Sequence, residues 1–340
     1  MRIIVTGGCG FIGSALVLHL VEDLGHEVTT LDALTYAANP ISLRPLEGNP
    51  RHRFVQADIC DAQAVEEAFA AARPQAVMHL AAESHVDRSI TGPGAFIRTN
   101  VVGTQTLLDT ARELDVARYL QVSTDEVYGS LSLDSREPAF KETTPLNPSS
   151  PYAASKAAAD LLVLAYGHTF GFPGMITRCS NNFGPRQFPE KVIPLFTINL
   201  MQGKRVPLYG DGLNVRDWIH VDDHCAAIIA VLQRGRVGDV YNVGASNEHP
   251  NVELTQMLLG LTGRDPSFIE HVTDRLGHDR RYAIDSTRTR QTLGWQATRS
   301  RWPAALNETV QWYRDHQPWW ESILSGAYRE ENQRLAQRAR

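Results

Sequence analysis

The chain has 340 residues, 43% apolar and 21% charged, enough for about two packed domains and unlike a disordered tail or a disulfide-stapled mini-protein. Its 33 Lys and Arg against 38 Asp and Glu leave a formal charge of −5. No overall positive field therefore recruits nucleic acid or an anionic membrane, and a small-molecule ligand is expected.

In chain order, short apolar runs alternate with helical periods. Runs at 3–5, 28–31, 54–57, 76–80 and 119–123 read as strands, and 11–24, 62–72 and 96–114 as helices, with Gly25 closing the first. Strands apolar on both faces with helices between them predict an α/β fold, a Rossmann-type doubly wound parallel sheet, with a smaller C-terminal substrate-binding lobe. A further helix is expected over 152–168. The pattern loosens after Arg178, where a loop-rich stretch rich in proline begins; a helix at 221–232 and a strand at 240–243 then read again as α/β. The expected division is 1–180 for dinucleotide binding, together with 215–245, and 181–340 mainly for substrate, with the boundaries interleaved. The Arg-, Glu- and Gln-rich end after Gly326 reads as a solvated terminal helix or a frayed end.

Gly7, Gly8, Gly10 and Gly13 sit between the first strand and the first helix, in the pattern G-x-G-x-x-G. Positions without side chains let the backbone turn tightly and approach a pyrophosphate, whose charge sits against the unpaired N–H groups of the helix start. Asp32 ends the second strand about 20 residues on, where a carboxylate accepts from an adenosine ribose and repels a 2′-phosphate. The expected cofactor is NAD. Asp58 and Ile59 are placed to meet the adenine, and the small residues of Leu80-Ala81-Ala82 let a cofactor pass close to the backbone.

Tyr152 and Lys156 stand at i and i+4, on one face of the expected helix. A phenol with an ordinary pKa of ~10 must be pulled down to ionise near neutrality, and an adjacent ammonium with a cationic nicotinamide would do so. Asp125 and Glu126 follow the strand at 119–123, at the end of a sheet where α/β proteins hold ligands. Two carboxyls in unlike environments can serve as acid and base, although a solvated acidic turn has the same sequence. His220 and His224 have ligand-like spacing, but the helix start between them reads as capping, and no metal is expected. Trp319-Trp320 reads as a packing anchor. Cys9, Cys60, Cys179 and Cys225 form no CxxC pair and read as reduced thiols; with no export signal and no stretch of ~20 apolar residues, the expected location is cytoplasmic.

The strings GGCGFIG (7–13), LAAESHVDRSI (80–90), TNVVGT (99–104), STDEVYG (123–129), PYAASK (151–156), RCSNNFGPRQFPEKVIP (178–194), RDWIHVDDH (216–224) and GHDRRYAID (277–285) occur in this order along nearly the whole chain. Together they resemble the extended short-chain dehydrogenases, and within them the dTDP-glucose 4,6-dehydratase family. That resemblance implies an NAD-dependent hydro-lyase making a 4-keto-6-deoxy sugar nucleotide. Tyr152, helped by Lys156 and Thr124, would take the 4-hydroxyl proton, Glu126 the carbon 5 proton, and Asp125 would protonate the departing 6-hydroxyl. It adds Phe11, Ile12, Thr99 and Asn182 to the cofactor contacts. For the nucleotide diphosphate and sugar it implies Ser84, Thr124, Asn181, Lys191, Arg205, Arg216, Asn251 and Arg281, with Tyr209 near the base. It also implies a homodimer formed through a bundle of the two long helices, whose apolar faces would equally suit packing on the sheet. Phe183 and Arg98 depart from the family's pattern, where tyrosine and an acidic residue are expected. An NAD-dependent UDP-sugar epimerase, decarboxylase or dehydratase of the same fold is the alternative; an epimerase or decarboxylase would have no use for Asp125 beside Glu126. A non-catalytic dinucleotide sensor would need the glycine loop alone.

Overall fold

The computed structural model describes residues 1–134 and 137–326. The expected helix or frayed end after Gly326 lies outside them. The first lobe runs β1 (Arg2–Thr6), α1 (Phe11–Leu18), β2 (Glu27–Asp32), β3 (His52–Gln56), α2 (Ala62–Ala72) and β4 (Ala76–His79). It continues through α3 (Val86–Thr91), α4 (Pro93–Phe96), α5 (Gly103–Glu113), β5 (Arg118–Thr124), α6 (Pro151–Phe170) and β6 (Gly174–Cys179). After β7 (Asn181–Phe183), α7 (Val192–Met201), β8 (Val206–Tyr209), β9 (Val215–His220) and α8 (Val221–Arg234), the chain returns to the first sheet as β10 (Val240–Val243). It ends with β11 (Glu248–Pro250), α9 (Asn251–Thr262), β12 (Ile269–Val272), α10 (Thr287–Leu293), α11 (Ala304–Asp315) and α12 (Gln317–Leu324).

The main sheet is parallel, in the order β10-β6-β5-β4-β1-β2-β3. Its strands are buried on both faces because each face carries its own core. Ile3, Val5, Met78 and Leu120 pack with α1 and α8; Ile4, Val77, Tyr119 and Ile176 pack with α2, α5 and α6. Strand order reverses beside β1, and the carboxyl ends of β1 and β4 open a crevice there. The second lobe adds a three-stranded sheet, β11-β9-β7, and a parallel pair, β12-β8.

Two helices differ instructively from the sequence expectation. The segment expected as one helix over 96–114 is α4, a widened π-helical turn at Ile97–Val102, and α5. Extra residues in such a turn commonly serve a site, and here the turn presents Asn100. Its side chain accepts from the Glu83 N–H (2.9 Å) and donates to the Glu83 carbonyl (3.0 Å) and Ser155 Oγ (2.8 Å), joining the loop after β4 to α6. Helix α1 likewise continues into a π-helical turn at His19–Asp23.

Candidate active site

A cleft of about 370 Å³ lies outside the carboxyl ends of β1, β2, β4, β5 and β6. At its floor Gly7 has φ +69° and donates to the Leu31 carbonyl (2.9 Å); a Cβ there would lie 2.7 Å from the Ala81 nitrogen. A Cβ on Gly13 would lie 2.1 Å from the Gly7 carbonyl oxygen. These contacts require glycine, and they leave the first N–H groups of α1 facing the cleft without a side-chain cap. Asp32 is buried at the end of β2, accepting from the N–H groups of Cys9 (2.9 Å) and Leu34 (2.9 Å). Burial raises its carboxyl pKa, while those two donors oppose the rise. Asp58, Ile59, Leu80, Ala81, Ala82 and Thr99 line the same wall. A bare helix start, a cradle that any Cβ would fill and a carboxylate at the next strand end fit NAD.

The chemical groups converge at the other end of the cleft. Ser150 caps α6 by accepting from the Ala153 N–H (3.1 Å), and Pro151 opens the helix, so Tyr152 stands in its first turn and Lys156 one turn later. Lys156 Nζ donates to the Val122 carbonyl (2.8 Å). Burial pushes the Tyr152 phenol well above its ordinary value, and the negative charge of Glu126 adds to this. Thr124 opposes the shift as a hydrogen-bonding neighbour. The surrounding protein groups thus hold the phenol's pKa up, and the lowering expected from the sequence rests on Lys156 acting together with a cationic nicotinamide.

Asp125 and Glu126 leave the end of β5 in a single 3-10 turn, with Thr124 Oγ1 accepting from the Glu126 N–H (3.2 Å). Their environments differ. Asp125 is 2% exposed and its Oδ2 has no hydrogen-bond partner. Burial raises its pKa well above the carboxylate range, and Glu126 and Asp217 raise it further. Glu126 is half-buried; burial raises its pKa too, and Arg216, Arg275 and Lys191 oppose part of that rise. Both carboxyls are shifted up, Asp125 more strongly, so Asp125 is the better placed acid and Glu126, with cations around it, the better placed base.

Of the residues expected to hold substrate, Ser84, Thr124, Asn181 and Lys191 line this cleft, with Lys191 Nζ on the Ser84 carbonyl (3.4 Å). Arg216 is buried just behind it, its guanidinium 4.2 Å from the Tyr282 ring centroid and donating to the Asp279 carbonyl (3.0 Å). Arg205 before β8, Tyr209 at its end and Asn251 at the start of α9 stand on the second lobe, outside the cleft lining. Arg281 places its fork on Glu248 (2.7 and 3.2 Å) and does not line the cleft. His220 Nδ1 caps α8 by accepting from the Asp222 N–H (3.2 Å), and His224 is hydrogen-bonded to Asn182 (2.9 Å).

Sequence reasoning passed over Asn100, although TNVVGT contained it, and also over Glu190 and Arg275. Glu190 accepts from the Tyr36 hydroxyl (3.0 Å) and Arg275 pairs with Asp87 (3.1 Å), each bridging the two lobes at the cleft mouth. No motif signals these pairs, because both are contacts between distant segments.

Residues 4–301 match the family described as GDP-mannose 4,6 dehydratase. The chain is 53% identical to the dTDP-glucose 4,6-dehydratase of Streptomyces griseus, over 95% of this chain and 97% of that one. Among solved structures it is similar to the dTDP-glucose 4,6-dehydratase of Streptomyces venezuelae with NAD and dTDP bound (TM-score 0.91, 48% identity, 95% of this chain and 100% of that chain). It is also similar to the NAD complex of a UDP-glucose 4-epimerase from Thermus thermophilus (TM-score 0.86, 31% identity, 93% and 100%).

Proposed function

This chain belongs to the GDP-mannose 4,6-dehydratase family, and from that premise we propose that it converts dTDP-glucose to dTDP-4-keto-6-deoxyglucose and water. It is an NAD-dependent hydro-lyase. The observation that carries this reading over an epimerase of the same fold is the pair Asp125 and Glu126, adjacent in sequence, set among unlike charges, and facing the same cleft as Tyr152. The Gly7–Gly13 loop, Asp32, Asp58 and Ala81 would hold NAD, which would supply the reversible hydride chemistry that oxidation at carbon 4 and reduction at carbon 6 require.

The chain's own residues manage the protons. Tyr152 takes the proton of the 4-hydroxyl, with Thr124 beside the phenol and Lys156 contributing positive charge from α6, its ammonium tethered to the Val122 carbonyl of β5. The resulting 4-ketone acidifies carbon 5, whose proton Glu126 removes. Asp125, protonated because it is buried among like charges, gives its proton to the departing 6-hydroxyl. Ser84, Asn181, Lys191 and Arg216 orient the sugar and diphosphate, while Arg205, Tyr209 and Asn251 meet the nucleotide from the second lobe. Arg281 acts on that lobe through Glu248. In this reading residues 1–180 with 215–245 hold the cofactor, and the remainder of 181–340 holds the sugar nucleotide.

The decisive experiment offers the protein dTDP-glucose, UDP-glucose and UDP-N-acetylglucosamine separately and identifies the products by mass. Loss of one water from dTDP-glucose alone is expected; inversion at carbon 4 without water loss would overturn the reading. Glu126→Gln is expected to block entry of solvent deuterium at carbon 5, and normal incorporation would assign that proton to another base.

The assembly that suits the surface is a homodimer. Ile97 (49% exposed), Val102 (45%) and Leu161 (56%) place bare apolar side chains on the paired α4–α5 and α6 segments. Leu161→Asp is expected to sediment as a monomer where the parent chain sediments as a dimer. Four free thiols and, among the described residues, no helix long and apolar enough to cross a membrane suit a cytoplasmic location.

A further inference from the structure

The proton count of the proposed dehydration leaves Asp125 empty, and a means of refilling it is needed only if the chain catalyses that reaction. Oxidation at carbon 4 and reduction at carbon 6 cancel, and carbon 5 loses one proton and regains one. The 4-hydroxyl proton enters the protein at Tyr152, whereas the proton that leaves in water comes from Asp125. Asp125 must regain a proton before another cycle, and while product still occupies the cleft that Asp125 lines, that proton has to come from elsewhere.

Strand register supplies a route from the other side. Thr124 pairs with Cys179 at the last rung between β5 and β6, so Asp125 and Ser180 leave the sheet side by side. Asn181 pairs with Trp218 between β7 and β9, which sets Ser180 beside Asp217. Three chain segments thus place Asp125, Ser180 and Asp217 in a row. Asp125 Oδ2, Ser180 Oγ and Asp217 Oδ2 are all buried without a hydrogen-bond partner. Isolated buried oxygens of this kind are uncommon, and a row of them suits bridging water.

Ser180 lines the main cleft; Asp217, 1% exposed, lines a second cavity of about 200 Å³ rimmed by Lys141, Ser246, Glu248 and Arg290. Asp217 Oδ1 is held by the Asn247 N–H (2.7 Å). Glycine at 244 keeps bulk away from its buried Oδ2: a Cβ there would come within 2.6 Å of that oxygen. Burial lifts the Asp217 carboxyl to about 6, so it can both take and release a proton near neutrality.

We propose that Ser180 and Asp217 form a proton-return path that reloads Asp125 from the second cavity after each elimination. A hydronium ion or buffer acid in the cavity protonates Asp217 and leaves as water or the buffer base; the Ser180 hydroxyl accepts that proton on one lone pair and releases its own to Asp125 Oδ2, while Tyr152 gives its gained proton to solvent as product departs. Only O–H bonds are made and broken. Asp217 touches no reacting atom and acts through Asp125.

Asp217→Asn keeps the side-chain shape but cannot relay a proton. In the NAD-loaded full chain, rapid quench is expected to show a first turnover of dTDP-glucose at the parental rate, followed by turnovers slowed about tenfold or more. Added imidazolium, small enough to enter the cavity, should restore the later turnovers in proportion to its concentration, and Ser180→Ala should repeat the pattern. Equal slowing of first and later turnovers in Asp217→Asn, no slowing of either, or no rescue by imidazolium would overturn the relay. A parent protein that releases no water from dTDP-glucose would instead refute the reaction itself.

Discussion

Asp125→Asn is expected to halt the reaction after carbon 4 has been oxidised. The substitution preserves size and the contact with Thr124, but removes the proton that burial and the neighbouring charges of Glu126 and Asp217 keep on this carboxyl. A positioned general acid is worth about 10²–10⁴-fold, and water loss should fall by that order. In a single-turnover experiment the absorbance of reduced cofactor should rise and persist rather than appear briefly. Unchanged dehydration would remove Asp125 from the chemistry. The pH dependence has a definite sign. Because the Asp125 carboxyl ionises above the usual carboxylate range, the parent enzyme keeps its acid as pH climbs through that range and loses it only above the raised value. The variant has no such alkaline loss to show.

Tyr152→Phe is expected to act one step earlier and to be at least as severe, about 10³-fold or more on oxidation at carbon 4. Phenylalanine retains the edge-on contact with Phe96, whose ring centroid lies 6.3 Å away, so the fold should tolerate the change while the proton acceptor disappears. Pre-steady-state absorbance would register this directly, and a mild effect would assign the acceptor elsewhere. Since burial and Glu126 raise the phenol's pKa, the fraction able to accept a proton grows with pH, and in the parent the oxidation step should accelerate as pH rises.

The features readable from the sequence were those fixed by local spacing. Glycines at 7 and 13 must be glycine where a strand turns into a helix this tightly, and an i, i+4 pair shares a helix face whatever surrounds it. The two strand-end carboxyls could be located but not told apart. Their division of labour depends on Arg216, Arg275 and Lys191 on one side and Asp217 on the other, all more than sixty residues away in sequence. The same limit hid the π-helical turn at Ile97–Val102, whose Asn100 is committed to Glu83 and Ser155. Arg281 shows the same limit: nothing in its string signals that the fold sets its guanidinium on Glu248. Composition along the chain carries no record of such pairings, because they are made by folding.

Asp32 carries two duties on one carboxyl. Besides standing where an adenosine ribose would be read, its oxygens tether the glycine turn through Cys9 and the left-handed residue Leu34, whose φ is +53°. Redesigning the enzyme to prefer a 2′-phosphorylated cofactor by neutralising Asp32 would consequently slacken the very cradle meant to receive the new ligand. Successful conversion has to provide replacement acceptors for those two amides before it adds any cation for the extra phosphate.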